Sequence, residues 1–193
     1  MRPTIVVYAI SLMLAPMAAL AQETAAAASP APPAASQQDQ ADVGSFDPGF
    51  WYAGPRIWLG VYGTIAIGGQ VELAYSEPGQ YGPGIVGIGA GVDYYSYDYG
   101  SGAFGGSYTV IPISAFANYH FVLENNRRID PYVGLGLGYY LVSASGSGQT
   151  ARAGAVFLAL QLGGRYFMTP RLAAQAHAGV GVGNISLGLA YKF

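Results

Sequence analysis

Large apolar residues occupy every second position over much of this chain, with Gly, Ala or polar residues between them. Val133, Leu135, Leu137, Tyr139 and Leu141 alternate with Gly134, Gly136, Gly138 and Tyr140. At the C-terminus Ile185, Leu187, Leu189, Tyr191 and Phe193 alternate with Ser186, Gly188, Ala190 and Lys192. A period of two marks a strand, whose successive side chains point to opposite faces. The same rule sets Ile67, Val71, Leu73 and Tyr75 against Gln70, Glu72 and Ala74, and Val86, Ile88, Ala90, Val92 and Tyr94 against Gly87, Gly89, Gly91 and Asp93. It also sets Val156, Leu158, Leu160, Leu162 and Tyr166 against Gln161, Gly163 and Arg165.

Stretches rich in Gly, Pro, Ser and Asn interrupt the alternation at 76–83, 98–106, 124–127, 143–149, Thr169-Pro170 and Gly183-Asn184, and such composition marks turns. Between them the pattern predicts eight strands, at about residues 57–62, 65–76, 85–97, 108–121, 132–142, 153–168, 171–182 and 185–193. A tilted strand needs about 9–11 residues to cross a bilayer, and the region 56–193 accommodates about eight of them with turns. The uncharged run 132–151 is long enough for a helical span, but Gly at alternate positions disfavours a helix. The polarity is the same throughout, bulky apolar residues on one face and small or polar ones on the other. It predicts an all-β, eight-stranded antiparallel up-and-down barrel with an apolar exterior. An even count puts both chain ends on one side, with the turns near Glu77, Asn125 and Thr169. The joints near Gly63, Gly102, Gly146 and Gly183 fall on the other side.

The N-terminal part reads differently. Arg2 precedes the apolar run Ile5 to Leu14, and Ala19-Leu20-Ala21 supplies small residues before Gln22, the organisation of a cleaved signal peptide over residues 1–21. Residues 22–55 are expected to be a flexible periplasmic segment. Up to about Gly49 they are mostly Ala, Pro, Gln and Ser, with Glu23, Asp39, Asp42 and Asp47 and no base, a composition unable to bury enough apolar surface to order itself. The barrel is expected over 56–193. With no segment after Phe193, no C-terminal domain is expected to tether the chain to the cell wall.

Composition sharpens the picture. Of 193 residues only 9% are charged, against about 25% in an ordinary soluble domain. The 29 Gly and 16 Tyr, with a mean hydropathy of +0.31, suit a closed sheet whose exterior meets lipid. The net charge of −2 offers no basic excess for nucleic acid. The absence of Cys is compatible with an exported barrel, which closes through backbone hydrogen bonds.

The closing residues Ser186, Gly188, Tyr191 and Phe193 follow a polar–Gly–aromatic–aromatic pattern that resembles the final strand of bacterial outer-membrane β-barrels. In that family the pattern is read by the barrel-assembly machinery. With the alternation and the signal peptide, the region 56–193 resembles the small outer-membrane β-barrel family, of the type of the outer membrane protein A transmembrane domain and outer membrane protein X. The resemblance implies residence in the bacterial outer membrane, contact with its lipid and a structural or surface-interaction role, most simply as a monomer.

Facing the lumen, the alternation places Gln70, Glu72, Asp93, Asn118, His120, Gln161, Arg165, Gln175, His177 and Lys192. Eight strands leave an interior that side chains fill, and buried charges need partners. Glu72 and Asp93 are therefore expected to pair with Arg165 and Lys192, with Gln70, Gln161 and Gln175 completing a polar network. A narrow small-solute pore is the alternative, should that filling rearrange.

An enzyme that modifies lipid A, also a small barrel, would work with a His and a Ser. Here His120 precedes Phe121-Val122 and His177 precedes Ala178-Gly179, so the His-x-Ser pattern is missing. No catalytic, cofactor or metal residues are assigned. A soluble lipocalin-like barrel would need the inverse polarity, a charged exterior over an apolar interior. Tyr94, Tyr95, Tyr97 and Tyr99, and at the other end Trp51, Tyr52 and Trp58, read as interface girdles, a ligand-stacking platform being the alternative for the tyrosines. The whole reading predicts that the purified chain in detergent migrates faster on a gel unboiled than boiled and gives a β-rich circular-dichroism spectrum. A chain that stays soluble and folded without detergent would favour the soluble barrel.

Overall fold

The computed structural model describes residues 44–61, 63–100, 105–146 and 149–193; the expected signal peptide and the part of the expected flexible segment before residue 44 lie outside them. Eight strands follow in chain order: β1 (Trp51–Val61), β2 (Thr64–Ala74), β3 (Ile85–Tyr99), β4 (Gly106–His120), β5 (Ile129–Gly146), β6 (Gln149–Phe167), β7 (Leu172–Val180) and β8 (Ile185–Lys192). Each pairs antiparallel with the next, and β1 pairs with β8, which closes the barrel. Tight connections follow from local chemistry. β1 and β2 are joined through residues 62–63, where Gly63 takes a φ of 77°, and Gly60, at a φ of 88°, sits where the β1–β2 register shifts. Both conformations suit glycine, which has no Cβ to clash.

The first strand starts earlier than the alternation at 57–62 suggests. β1 begins at Trp51 and places Tyr52 and Arg56 inside, so residues expected to be flexible up to position 55 are part of the wall. Pro55, which cannot donate to a ladder, is the feature that disguised it. The β1–β8 pairing accommodates it by running through Tyr52–Lys192 and Ala53–Tyr191 and resuming at Arg56–Gly188. Residues 44–50 ahead of β1 also pack at the barrel mouth, where Phe46 is 6% exposed.

The wall is uneven in height. β3 to β6 are 15, 15, 18 and 19 residues long, whereas β7 and β8 are 9 and 8. Since β6 meets β7 only from Leu160–Val180 downward, residues 149–159 pair with β5 alone. The extra length stands at the end opposite the chain termini.

Alternation decides the two surfaces. Leu135, Leu137, Val156, Leu158, Leu160 and Leu162 face outward and are exposed, as are Ile65 and Ile67. Inside, one apolar layer near the termini contains Phe46, Tyr52, Ile85 and Phe167. A second near the far end contains Trp58, Tyr95, Val110, Phe157 and Val182, with Tyr97 and Tyr140 packed against it. The girdle expectation is therefore corrected in part. Tyr52, Trp58 and Tyr95 point inward and are buried, while Trp51, Tyr94 and Tyr99 remain exposed.

Glycines on the inner face make room for these large groups. A Cβ on Gly163 would lie 2.6 Å from the Cβ of His177 and 2.7 Å from the Tyr132 ring, whereas one on the adjacent Gly164 would meet nothing closer than 3.7 Å. Gly163→Ala is expected to destabilise the folded barrel by about 1–3 kcal/mol, as overpacking does. Gly164→Ala should be neutral or stabilise by up to about 1 kcal/mol. Urea unfolding in lipid vesicles checks the contrast.

Candidate functional site

Between the two apolar layers the lumen is polar. Arg56, Gln70, Glu72, Asp93, Asn118, His120, Asp130, Arg165, Gln175 and His177 are all buried there, each delivered inward by the period-two alternation of its strand. All but His177, whose Nδ1 lies 2.9 Å from the Tyr132 hydroxyl, form two separate hydrogen-bonded clusters.

The cluster nearer the termini is built on Glu72. Arg165 Nη2 donates to Glu72 Oε2, Asn118 Nδ2 donates to Glu72 Oε1 at 2.8 Å, and Gln161 Nε2 donates to Asn118 Oδ1 at 2.5 Å. His120 bridges two carboxylates, its Nδ1 2.8 Å from Asp130 and its Nε2 3.1 Å from Glu72. Ionised carboxylate oxygens only accept, so the ring satisfies both contacts by carrying a proton on each nitrogen. Arg165 Nη1 stands 3.6 Å from Asp130. The rings of Phe46, Tyr52 and Tyr132 surround its guanidinium at 5.1, 5.4 and 5.4 Å, within cation–π range. Phe46 stacks on His120 with ring centroids 3.6 Å apart, so the segment before β1 forms one wall of this cluster.

The second cluster is built on Arg56. Its Nε and Nη2 donate to the two oxygens of Asp93 at 2.9 and 2.6 Å, a bidentate pair, and its Nη1 donates to Gln70 Oε1 at 2.5 Å. Gln70 Nε2 in turn donates to Gln175 Oε1 at 3.0 Å. Planar guanidinium and carboxylate groups match in this geometry.

The expected single network is thus divided. Glu72 does meet Arg165, with Gln161 reached through Asn118, and Gln70 meets Gln175. Asp93 is held by Arg56, and Lys192 joins neither cluster: at the rim it pairs with Asp47 and lies 4.3 Å over the Phe50 ring. Arg56 and Asp130 were missed because they fall just outside the strands expected at 57–62 and 132–142. The parity of Tyr52, Gly54, Arg56 and Trp58, continued upstream, would have found the first. Of the C-terminal pattern, Ser186 is buried and Gly188 points inward with it, while Tyr191 and Phe193 are exposed outside.

No family model matches the sequence, and no protein of curated function does. Among solved structures, the chain is similar to the N-terminal β-barrel domain of Pseudomonas aeruginosa OprF, with a TM-score of 0.54 and 17% identity over 76% of this chain and 98% of that one. Neisserial surface protein A overlaps at a TM-score of 0.49 and 17% identity, over 75% of this chain and 97% of that one. Ail of Yersinia pestis overlaps at 0.45 and 16%, over 76% of this chain and 100% of that one. At such identities the likeness to the OprF domain is one of fold. The chain has the closed eight-stranded fold of the small outer-membrane barrels.

Arg165→Met should cost about 3–5 kcal/mol in urea unfolding, because two buried carboxylates, Glu72 and Asp130, would be left with His120 as their one cation. The double variant Glu72→Gln, Arg165→Met is expected to recover most of that loss. Lys192→Met, at the rim, should cost about 1 kcal/mol or less.

Proposed function

We propose that the chain is an integral protein of the bacterial outer membrane, not an enzyme, with a structural and surface-interaction role and a closed polar interior. The observation that carries the reading is inverted polarity. The outward residues of β5, β6 and β8, from Val133 to Leu141, Val156 to Tyr166 and Ile185 to Tyr191, are apolar or glycine throughout, while the ion pairs lie inside. Water would penalise that exterior as one large apolar patch, and lipid accepts it.

Three further features support the role. The aromatic layers around Phe46 and Trp58 fill the lumen at two levels, which favours a rigid core over a small-solute path. On the tall wall, outward positions change from Val92, Tyr94 and Leu141 to Ser96, Ser107, Thr109, Ser143 and Ser145, with Ser107 and Ser145 hydroxyls 2.8 Å apart. A hydroxyl-bearing face belongs in water, beyond the apolar band. The edge of β6 over 149–159, paired on one side only, gives that exposed wall a surface suited to partners. The terminal pattern Ser186, Gly188, Tyr191 and Phe193 is assigned to recognition by the assembly machinery, and the barrel is taken as a monomer in lipid.

The chain contains no Cys, so single cysteines report position cleanly. Thr150→Cys, at the tall end, should react with a membrane-impermeant maleimide on intact cells, and Asn125→Cys should react only after the envelope is opened. In planar bilayers the folded protein should show no steady conductance. Equal labelling of both sites, or well-defined channel steps, would overturn the corresponding part of the reading.

A further inference from the structure

Four buried polar atoms on the β7–β8–β1 side of the lumen have no hydrogen-bond partner in the protein: Trp58 Nε1, Gln175 Nε2, His177 Nε2 and Ser186 Oγ. Their residues are between 0% and 4% exposed. Register makes them neighbours. Trp58 on β1 and His177 on β7 are the two cross-strand partners of Ser186 on β8, and such partners hold their Cβ atoms about 4.5–5.5 Å apart. The indole and imidazole rings lie 4.7 Å apart between centroids. Gln175 pairs with Gly188, two residues from Ser186 on the same face, and a Cβ on Gly188 would come 2.9 Å from Gln175 Nε2. Buried polar atoms are nearly always satisfied, so four orphans on adjoining positions point to one shared guest.

The chemistry of the four selects it. Trp58 Nε1 and Gln175 Nε2 only donate, and Ser186 Oγ donates or accepts. His177 Nδ1 lies 2.9 Å from the Tyr132 hydroxyl, so its Nε2 donates in one tautomer and accepts in the other. One water, accepting from Trp58 and Gln175 and donating to His177 Nε2 and Ser186, satisfies the set when Nε2 accepts; with Nε2 protonated the three donors require a second water. A halide would need every group to donate and an uncompensated positive charge nearby. Yet Arg56 is neutralised by Asp93, and Arg165 by Glu72 and Asp130.

We propose that Trp58, Gln175, His177 and Ser186 form an internal water site, between the Arg56 cluster and the Trp58 layer, holding about one or two ordered molecules. The water bridges β1, β7 and β8, the low side of the wall, and fixes the indole that helps fill the far end of the lumen.

Only two Trp residues occur in the chain, so Trp51→Phe leaves Trp58 as the sole indole. In the full chain folded in detergent micelles, nuclear magnetic resonance should show cross-relaxation between the Trp58 indole proton and a long-lived water. The indole shift should stay put when chloride is exchanged for bromide or nitrate. Adding Ser186→Ala and His177→Leu should abolish the cross-peak while heat-modifiable migration is kept. Absence of the cross-peak in folded Trp51→Phe protein would overturn the proposal, whatever the fate of the multiple variant. A shift that follows halide exchange would overturn it in favour of an anion site.

Discussion

Backbone closure is the constraint on which the rest of this structure depends. In a hydrocarbon environment an unpaired N–H or C=O has no water to fall back on, so a sheet that crosses it must have no open edge. The pairing of β1 with β8 meets that demand. It does so even across Pro55, where the ladder skips and resumes at Arg56. Closing at eight strands then fixes a narrow bore, and everything inside must be chosen to fill it.

Filling proceeds by pairing large with small. Gly163 stands against His177 and Tyr132, and Gly136 against Phe116. Each glycine is a place where a neighbour's bulk has taken the volume a side chain would need. Buried charges fit the same interior because they cancel: Arg56, Arg165 and a doubly protonated His120 face Glu72, Asp93 and Asp130. A missing member would leave an unpaired charge away from bulk solvent, so the two clusters make the barrel intolerant of piecemeal change. Phe46 extends this interdependence to the segment before β1, since its ring covers both His120 and Arg165.

On the proposed placement in a membrane the exterior obeys a looser rule, apolar where lipid would touch it, and the difference in strand length then bears on the proposed role. Extra residues on β3 to β6 are not needed for closure, and their outward side chains turn from Leu and Tyr to Ser and Thr. A wall that outgrows the apolar band and changes its chemistry at the same height is what a surface-directed role would require.

Alternation alone determined the all-β class, the strand count, the faces and most of the inward residues, because a period of two leaves a mark at every position of a strand. Glu72 with Arg165 and Gln70 with Gln175 were legible as lumen groups for that reason. Which carboxylate meets which cation was not, since partners in a closed barrel are set by register and side-chain reach across the bore, neither of which is local. Asp93 therefore found Arg56, and Lys192, at the rim, found Asp47. Low-complexity neighbours hid the parts played by Phe46 and Asp47, and Tyr52 was read as part of an outer girdle; the roles of all three exist only once the barrel mouth does. Sequence periodicity decides which way a side chain points; closure of the sheet decides what it meets there.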